Sequence, residues 1–246
     1  MCELLALSSA LPTSAGQALF ELARHGGDTG PHRDGWGIAY MHDGDAFVVR
    51  EPDAAHDSAC LGFLRARDRA TTQLIAHIRR ATHGARLLRN TQPFQRELGG
   101  HVHLFAHNGM LAGAERLRAR WNVPIGDTDS ERAFCALLDR VRPLWDRGIP
   151  ELDERLDEIE AIAAELRMMG PANFLYSDGD ALFVHAHRRR TDGGTIEPPG
   201  LHLLQRSASE VLVASVPLTA EAWMPLVEGE LVAIRDGRVL ARRGAR

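Results

Sequence analysis

The chain opens on a short apolar run, CELLALS at residues 2–8, which predicts a buried strand at the extreme N-terminus. A turn at Pro12 and a helical spacing through Ala18, Leu19, Leu22 and Ala23 follow it. Further apolar or alternating runs, GIAYM, AFVVR, TTQLIAHI, HVHLFAH, NFLYS, ALFVHAH, GLHLLQ, EVLVAS and ELVAI, predict strands, several of them bounded by Gly, Asp or Asn. Between these sets, residues 128–146 and 151–168 carry apolar positions three and four apart, the period of a helix with one buried face. Pro143 ends or kinks the first of the two helices. Strands, then helices, then strands again predict a layered α+β domain, not the βαβ alternation that builds a parallel sheet. The segment RRRTDGGTIEPPG, 188–200, reads as one exposed loop.

At 246 residues and 44% hydrophobic content the chain is long enough for one sizeable core, so a single domain spanning 2–246 is expected. Its 29 basic against 33 acidic side chains leave a net charge of -4, with no electrostatic footprint for nucleic acid or an anionic membrane. A small molecule or a protein is the expected partner. All 29 basic residues are arginine, which excludes Schiff-base chemistry and a phosphate-binding loop lysine. No apolar run approaches the roughly 20 residues that span a bilayer. The start, MCELLALSSALPTSAG, lacks the positive charge of a secretory signal, so a cytoplasmic location is expected. The cysteines, Cys2, Cys60 and Cys135, are odd in number and stand at no metal-ligand spacing, which leaves at least one thiol free to react.

Cys2 offers the most chemistry. Its small side chain permits removal of Met1, which places a thiol and a free α-amine on one residue. An α-amine titrates at about 7.7–8.0, so near neutrality it can take the thiol proton and pass it to a leaving amine. The plainer alternative is a small apolar residue at the start of a buried strand. Three further motifs supply groups that such a nucleophile needs. HIRRATHG, residues 77–84, follows an apolar strand and places an arginine fork, Arg79 or Arg80, where it can bind a carboxylate; solvated surface arginines are the alternative. AHNGML offers the Asn108 amide and the unobstructed Gly109 N–H as oxyanion donors, or else an ordinary Asn-Gly hairpin turn. In GDTDSERAF, Asp127 or Thr128 can cap a helix with Glu131 completing a capping box, which leaves Asp129 free to pair with an ammonium group. Arg79 and Asp129 together would recognise the two charged groups of an amino acid.

Cys2, HIRRATHG, NTQPF, AHNG and DTDSE, in this order, resemble the glutaminase domain of class II glutamine amidotransferases. MCELLALS, GGDTGPHRDGWGIAY, NTQPFQREL, FAHNGML, DTDSERAFC and NFLYSDGD are similar more narrowly to the stand-alone YafJ-type amidotransferases, over most of the chain up to about residue 186. The resemblance implies the four-layer αββα sandwich of N-terminal-nucleophile hydrolases. It further implies that Cys2 attacks a glutamine amide, that Asn108 and Gly109 stabilise the oxyanion, and that Arg79 and Asp129 hold the α-carboxylate and α-ammonium. Thr82 and His83 would line the pocket. The implied reaction is glutamine and water to glutamate and ammonia through a γ-glutamyl thioester, with no metal or organic cofactor.

The chain differs from the familiar members in having no room for a second domain that consumes ammonia, which implies a separate ammonia-accepting protein or simple amide hydrolysis. A γ-glutamyl amidohydrolase acting on a larger conjugate is the second reading, and a catalytically silent binding or regulatory module the third. HRDGWG at 32–37 occupies the place of a substrate-side loop, without individual roles for Arg33, Asp34 or Trp36. His185 and His187, two apart on a strand, are expected as surface polar residues, Cys135 as core, and the acidic helix at 151–168 as a solvated face.

Overall fold

The computed structural model describes residues 1–246 except Asp68, Asp192, Ala245 and Arg246. Asp192 of the expected 188–200 loop, and the last two residues of the expected domain, therefore lie outside the described residues. In chain order the elements are β1 (Glu3–Thr13), α1 (Gly16–His25), β2 (Trp36–His42), β3 (Asp45–Glu51), α2 (Ala59–Arg67), β4 (Thr71–Ile78), β5 (Phe94–Leu98) and β6 (His101–Gly109). Then come α3 (Asp129–Val141), α4 (Leu152–Met169), β7 (Ala172–Ser177), β8 (Leu182–His185), β9 (Arg189–Arg190), β10 (Ile196–Glu197) and β11 (His202–Ser207). The chain finishes with β12 (Glu210–Ala214), β13 (Met224–Pro225), β14 (Leu231–Arg235) and β15 (Arg238–Arg243).

Two antiparallel sheets carry the fold. The first has seven strands in the order β13-β11-β12-β1-β4-β2-β3, the second six in the order β15-β14-β8-β7-β6-β5. Successive side chains of a strand point to opposite faces, and in β1 both faces are covered. Leu5 and Leu7 pack with Leu19, Leu22 and Leu64 of α1 and α2, whereas Leu4 and Ala6 meet Leu104, Ala106 and Leu175 of the second sheet. The outer face of the second sheet packs Phe105, Phe174 and Tyr176 against Phe134 and Leu138 of α3 and Leu156, Ile159 and Ile162 of α4. The layers are thus helix, sheet, sheet, helix: the αββα sandwich that the sequence implies. No helix among the described residues is long and apolar enough to cross a membrane.

Local differences from the sequence reading have physical causes. β1 does not turn at Pro12 but runs to Thr13, because a register shift after Ser8 lets Thr13 pair with Thr71 beyond the proline. Thr128, not Asp127, caps α3, accepting from Glu131 N–H at 3.2 Å. Glu131 does not complete a capping box. Its carboxylate instead accepts from the N–H groups of Ile125 and Gly126 and pairs with Arg96. The 188–200 segment contains the ribbon β9–β10. His185 and His187 are buried, contrary to the surface expectation, because β8 lies inside its sheet between β7 and β14. His185 Nδ1 donates to Ala172 O at 2.6 Å, and His187 Nδ1 accepts from Ala172 N–H at 3.3 Å. Cys135 is core, as expected.

Candidate active site

The two sheets bring β1, β4, β6 and β12 together at one edge of the sandwich. Glu3 pairs with Ile78, so Cys2 stands opposite the residues that leave β4. Cys2 Sγ lies 3.4 Å from the N–H and 3.5 Å from the carbonyl O of Arg80, accepting from the first and donating to the second. The residue is half-buried. Burial pushes the thiol pKa up, against the opposing pull of the Arg80 N–H, the N-terminal ammonium and Arg79, while Asp129 adds to the rise. At rest the sulfur is therefore a protonated thiol, and it needs a base to react.

Met1 precedes it, and burial lowers the pKa of its α-amine, with Arg80 and Arg189 acting in the same direction and Cys2 and Glu3 against. Glu3 is buried yet stays ionised. His25 Nδ1 donates to its Oε2 at 2.7 Å, and His32 Nε2 lies 3.9 Å from its Oε1.

Asn108 and Gly109 close β6 beside Asn173 and Ala172 of β7. Gly109 does not have the positive φ of an Asn-Gly hairpin turn. It is glycine for space: a Cβ would run into the Pro171 carbonyl and come within 2.6 Å of His107 Nε2. The Asn108 side chain is fully buried against Ser215, the residue after β12, with Nδ2 3.1 Å from Ser215 Oγ. That hydroxyl also accepts from Leu4 N–H at 3.0 Å, and Asn108 Oδ1 is buried without a partner. Ser215 Oγ takes one of the two N–H groups of Asn108 Nδ2. Ser215 thus ties the first sheet to the asparagine of the second. In the sequence it is only the last letter of EVLVAS, and nothing there singles it out.

Arg79 is buried, with a different set of partners from the one expected. Its Nη1 donates to the carbonyls of Asp34 (3.3 Å) and Ala85 (3.2 Å), and its Nη2 to those of His83 (2.9 Å) and Gly84 (3.0 Å). Four terminal N–H donors thus have four acceptors, and a carboxylate reaches this fork only by replacing carbonyls of the 83–85 segment. Asp34 helps to hold the same turn, its Oδ2 accepting from Ala81 N–H at 2.8 Å. Thr82 and His83 sit on the exposed outside of the segment, where the His83 ring contacts the Thr82 carbonyl at 3.0 Å. Arg33 bonds to the Gly27 carbonyl, and Trp36 is core, its Nε1 donating to Glu51 at 3.0 Å.

Asp129 starts α3 half-buried. Its Oδ2 accepts from Leu111 N–H at 2.7 Å and its Oδ1 from Ser130 N–H at 2.9 Å, so the helix N-terminus and the chain leaving β6 fix it together. Asn90 and Gln92 of NTQPF perform the bracing. Gln92 Oε1 accepts from His107 N–H at 2.6 Å and its Nε2 donates to His107 O at 3.3 Å. Asn90 bridges Ala85 O and Asp127 N–H at 3.1 and 2.9 Å. A cleft of about 530 Å³, lined by Arg33, Glu51, Asp53, Asp57, Ser58 and Arg86, adjoins this segment but includes none of Cys2, Asn108 and Asp129.

The family model for class II glutamine amidotransferases matches residues 1–208. YafJ of Escherichia coli (strain K12), whose name assigns it to the glutamine amidotransferases, is 34% identical over 244 residues, which are 94% of this chain and 96% of YafJ. The 2.0 Å crystal structure of a predicted glutamine amidotransferase from Pseudomonas aeruginosa PA01 superposes with a TM-score of 0.67 at 31% identity, covering 98% of this chain and all of that one. Glutamine phosphoribosylpyrophosphate amidotransferase from B. subtilis shares the fold with a TM-score of 0.69 at 18% identity, this chain matching 49% of its length.

Proposed function

This chain belongs to the class II glutamine amidotransferases, enzymes of the N-terminal-nucleophile type, and from that premise we propose that it hydrolyses the side-chain amide of glutamine through a thioester on Cys2. The observation that carries the reading is the position of Cys2 Sγ. It sits at the head of a strand in the middle of the first sheet, bracketed by the Arg80 peptide and within electrostatic reach of both Arg79 and Asp129.

With Met1 removed, the Cys2 α-amine takes the proton of the raised-pKa thiol as Sγ attacks the amide carbon. The oxyanion forms against Asn108 Nδ2 and Gly109 N–H, donors fixed by Ser215 and by β7 respectively. The ammonium of the same residue returns the proton to the departing amine, and water then attacks the thioester to release glutamate and regenerate the thiol. Asp129, already oriented by two N–H groups, takes the substrate ammonium. Arg79 faces the carboxylate once the 83–85 segment yields its carbonyls, and Thr82 and His83 move with that segment. On this reading the ammonia is released to water or passed to an accepting protein, and the site uses no cofactor.

The test is release of glutamate and ammonia from glutamine by protein shown to lack Met1. Turnover that disappears in Cys2→Ala supports the reading. Turnover that survives in Cys2→Ala sinks it, and no turnover on any γ-glutamyl amide favours a silent binding module.

A further inference from the structure

β6 serves the site from both of its faces. Asn108 points towards the first sheet, where it meets Ser215, and its neighbour His107 points the other way, towards α3. The His107 ring is buried, with Nδ1 2.9 Å from Ser130 Oγ and Nε2 3.2 Å from the Pro171 carbonyl. Ser130 is buried too, and follows Asp129 at the start of α3.

The protons of this cluster have one favoured arrangement. Burial pushes the His107 pKa down, against the opposing pull of Asp129 and the Pro171 carbonyl, so the imidazole is neutral and carries a single N–H. A carbonyl can only accept, which puts that proton on Nε2 and leaves Nδ1 an acceptor. Ser130 Oγ faces Nδ1, so its O–H donates there. The other acceptor within reach of the hydroxyl, Asp129 Oδ1, lies at 3.4 Å, and turning the O–H towards it would leave a buried imidazole nitrogen unpaired.

The consequence falls on Asp129. Its Oδ2 accepts from Leu111 N–H at 2.7 Å and its Oδ1 from Ser130 N–H at 2.9 Å, one short bond to each oxygen. A carboxylate offers about four acceptor positions, so each oxygen keeps one for a substrate. A Ser130 hydroxyl turned to Oδ1 would fill one of them. We propose that His107 is a positioning residue for recognition of the substrate's α-ammonium: by accepting the Ser130 O–H it keeps Asp129 Oδ1 open to that group. The inference rests on the glutamine-hydrolysing reading. It gives two adjacent residues of β6 to opposite ends of the substrate, Asn108 to the amide and His107, through Ser130 and Asp129, to the ammonium.

The experiment compares His107→Gln with His107→Asn in the Met1-free protein. The longer amide of His107→Gln reaches the Nε2 position and keeps a donor for the Pro171 carbonyl, without an acceptor at Nδ1. The shorter amide of His107→Asn places an acceptor near Nδ1. His107→Gln is expected to raise KM for glutamine by about tenfold with kcat little changed, the scale of one hydrogen bond to a charged group. His107→Asn is expected to recover most of that loss. For glutaric acid monoamide, which lacks the α-ammonium, His107→Gln is expected to leave KM at the wild-type value. In the wild type, NMR shifts of the His107 ring nitrogens are expected to show the Nε2–H tautomer, a readout that needs no variant to fold. An Nδ1–H tautomer, equal KM values for the two substitutions, or a rise of the same size with the monoamide overturns the proposal while leaving glutamine hydrolysis standing. No release of glutamate from glutamine by the wild type, together with no Cys2-dependent labelling by 6-diazo-5-oxo-L-norleucine, removes the hydrolytic reading and this proposal with it.

Discussion

Replacing Ser215 by alanine separates the structural and catalytic parts of one contact. The hydroxyl is buried, accepts from Leu4 N–H at 3.0 Å, and holds the Asn108 amide at 3.1 Å. Alanine leaves the Leu4 N–H without its acceptor, at a cost of about 1–3 kcal/mol. For a chain of this length each kcal/mol lowers Tm by about 2–4 °C, so a fall of roughly 2–12 °C is expected by thermal denaturation. The catalytic effect has a different signature. An oxyanion donor interacts with the transition state more than with bound substrate, and complete loss of one costs about 10²–10³ in kcat. Asn108 would remain but without its anchor, so a fall of roughly ten- to a hundred-fold in kcat is expected, with KM for glutamine little changed. Ser215→Thr keeps the oxygen and is expected to restore much of kcat. A Ser215→Ala protein with lowered Tm but wild-type kcat would refute the argument and leave Ser215 a purely structural tie between the sheets.

Three further outcomes follow from the geometry. Gly109→Ala is expected to abolish turnover and to cost at least about 1–3 kcal/mol, since its Cβ meets backbone at Pro171; retained kcat would show that β6 and β7 can part without harm. Arg79→Lys cannot serve four carbonyls with one ammonium, so KM for glutamine should rise by about tenfold or more and the 82–90 segment should become more sensitive to protease. Unchanged KM and cleavage would count against its anchoring role. Burial lowers the pKa of His77 to about 3, of His103 to about 4 and of His185 to about 3. Each binds a proton on unfolding below its ordinary value near 6.5, so stability is full above that pH and is lost as pH falls towards 4. The slope is about 1.4 kcal/mol per pH unit for each histidine, or roughly 4 for the three. Denaturant unfolding from pH 7 to 4.5 measures it, and a flat profile contradicts the assignment.

Much of this architecture was legible because its central strands are buried on both faces. The runs at 2–8, 71–78 and 101–107 each hold an unbroken apolar block, residues 4–7, 74–76 and 104–106, close to where the polar chemistry begins. The helix periods at 128–146 and 151–168 survive as α3 and α4, the first closing in a short 3-10 turn over residues 142–144 around Pro143. α2 and β5 escaped the reading. ACLGFLRAR carries only two buried residues, Leu61 and Leu64, and FQREL buries only its ends.

At the site, the order of the motifs indicated which residues converge, and the structure brings Arg79 and Asp129 within electrostatic reach of Cys2. What the letters could not carry is contact between side chains and backbone distant in sequence. The four carbonyls around Arg79, the Gln92 clamp on His107 and the Ser215 hydroxyl have no local pattern, since each depends on which strand ends meet. The same holds for His185, which looks like a surface histidine until β14 covers its strand.

The most direct test of the central claim is the intact mass of the purified protein after exposure to 6-diazo-5-oxo-L-norleucine, wild type beside Cys2→Ala. The account predicts a wild-type mass lacking Met1 with a single adduct, and no adduct in Cys2→Ala. Retained Met1 with no adduct, or an adduct that persists in Cys2→Ala, would contradict it.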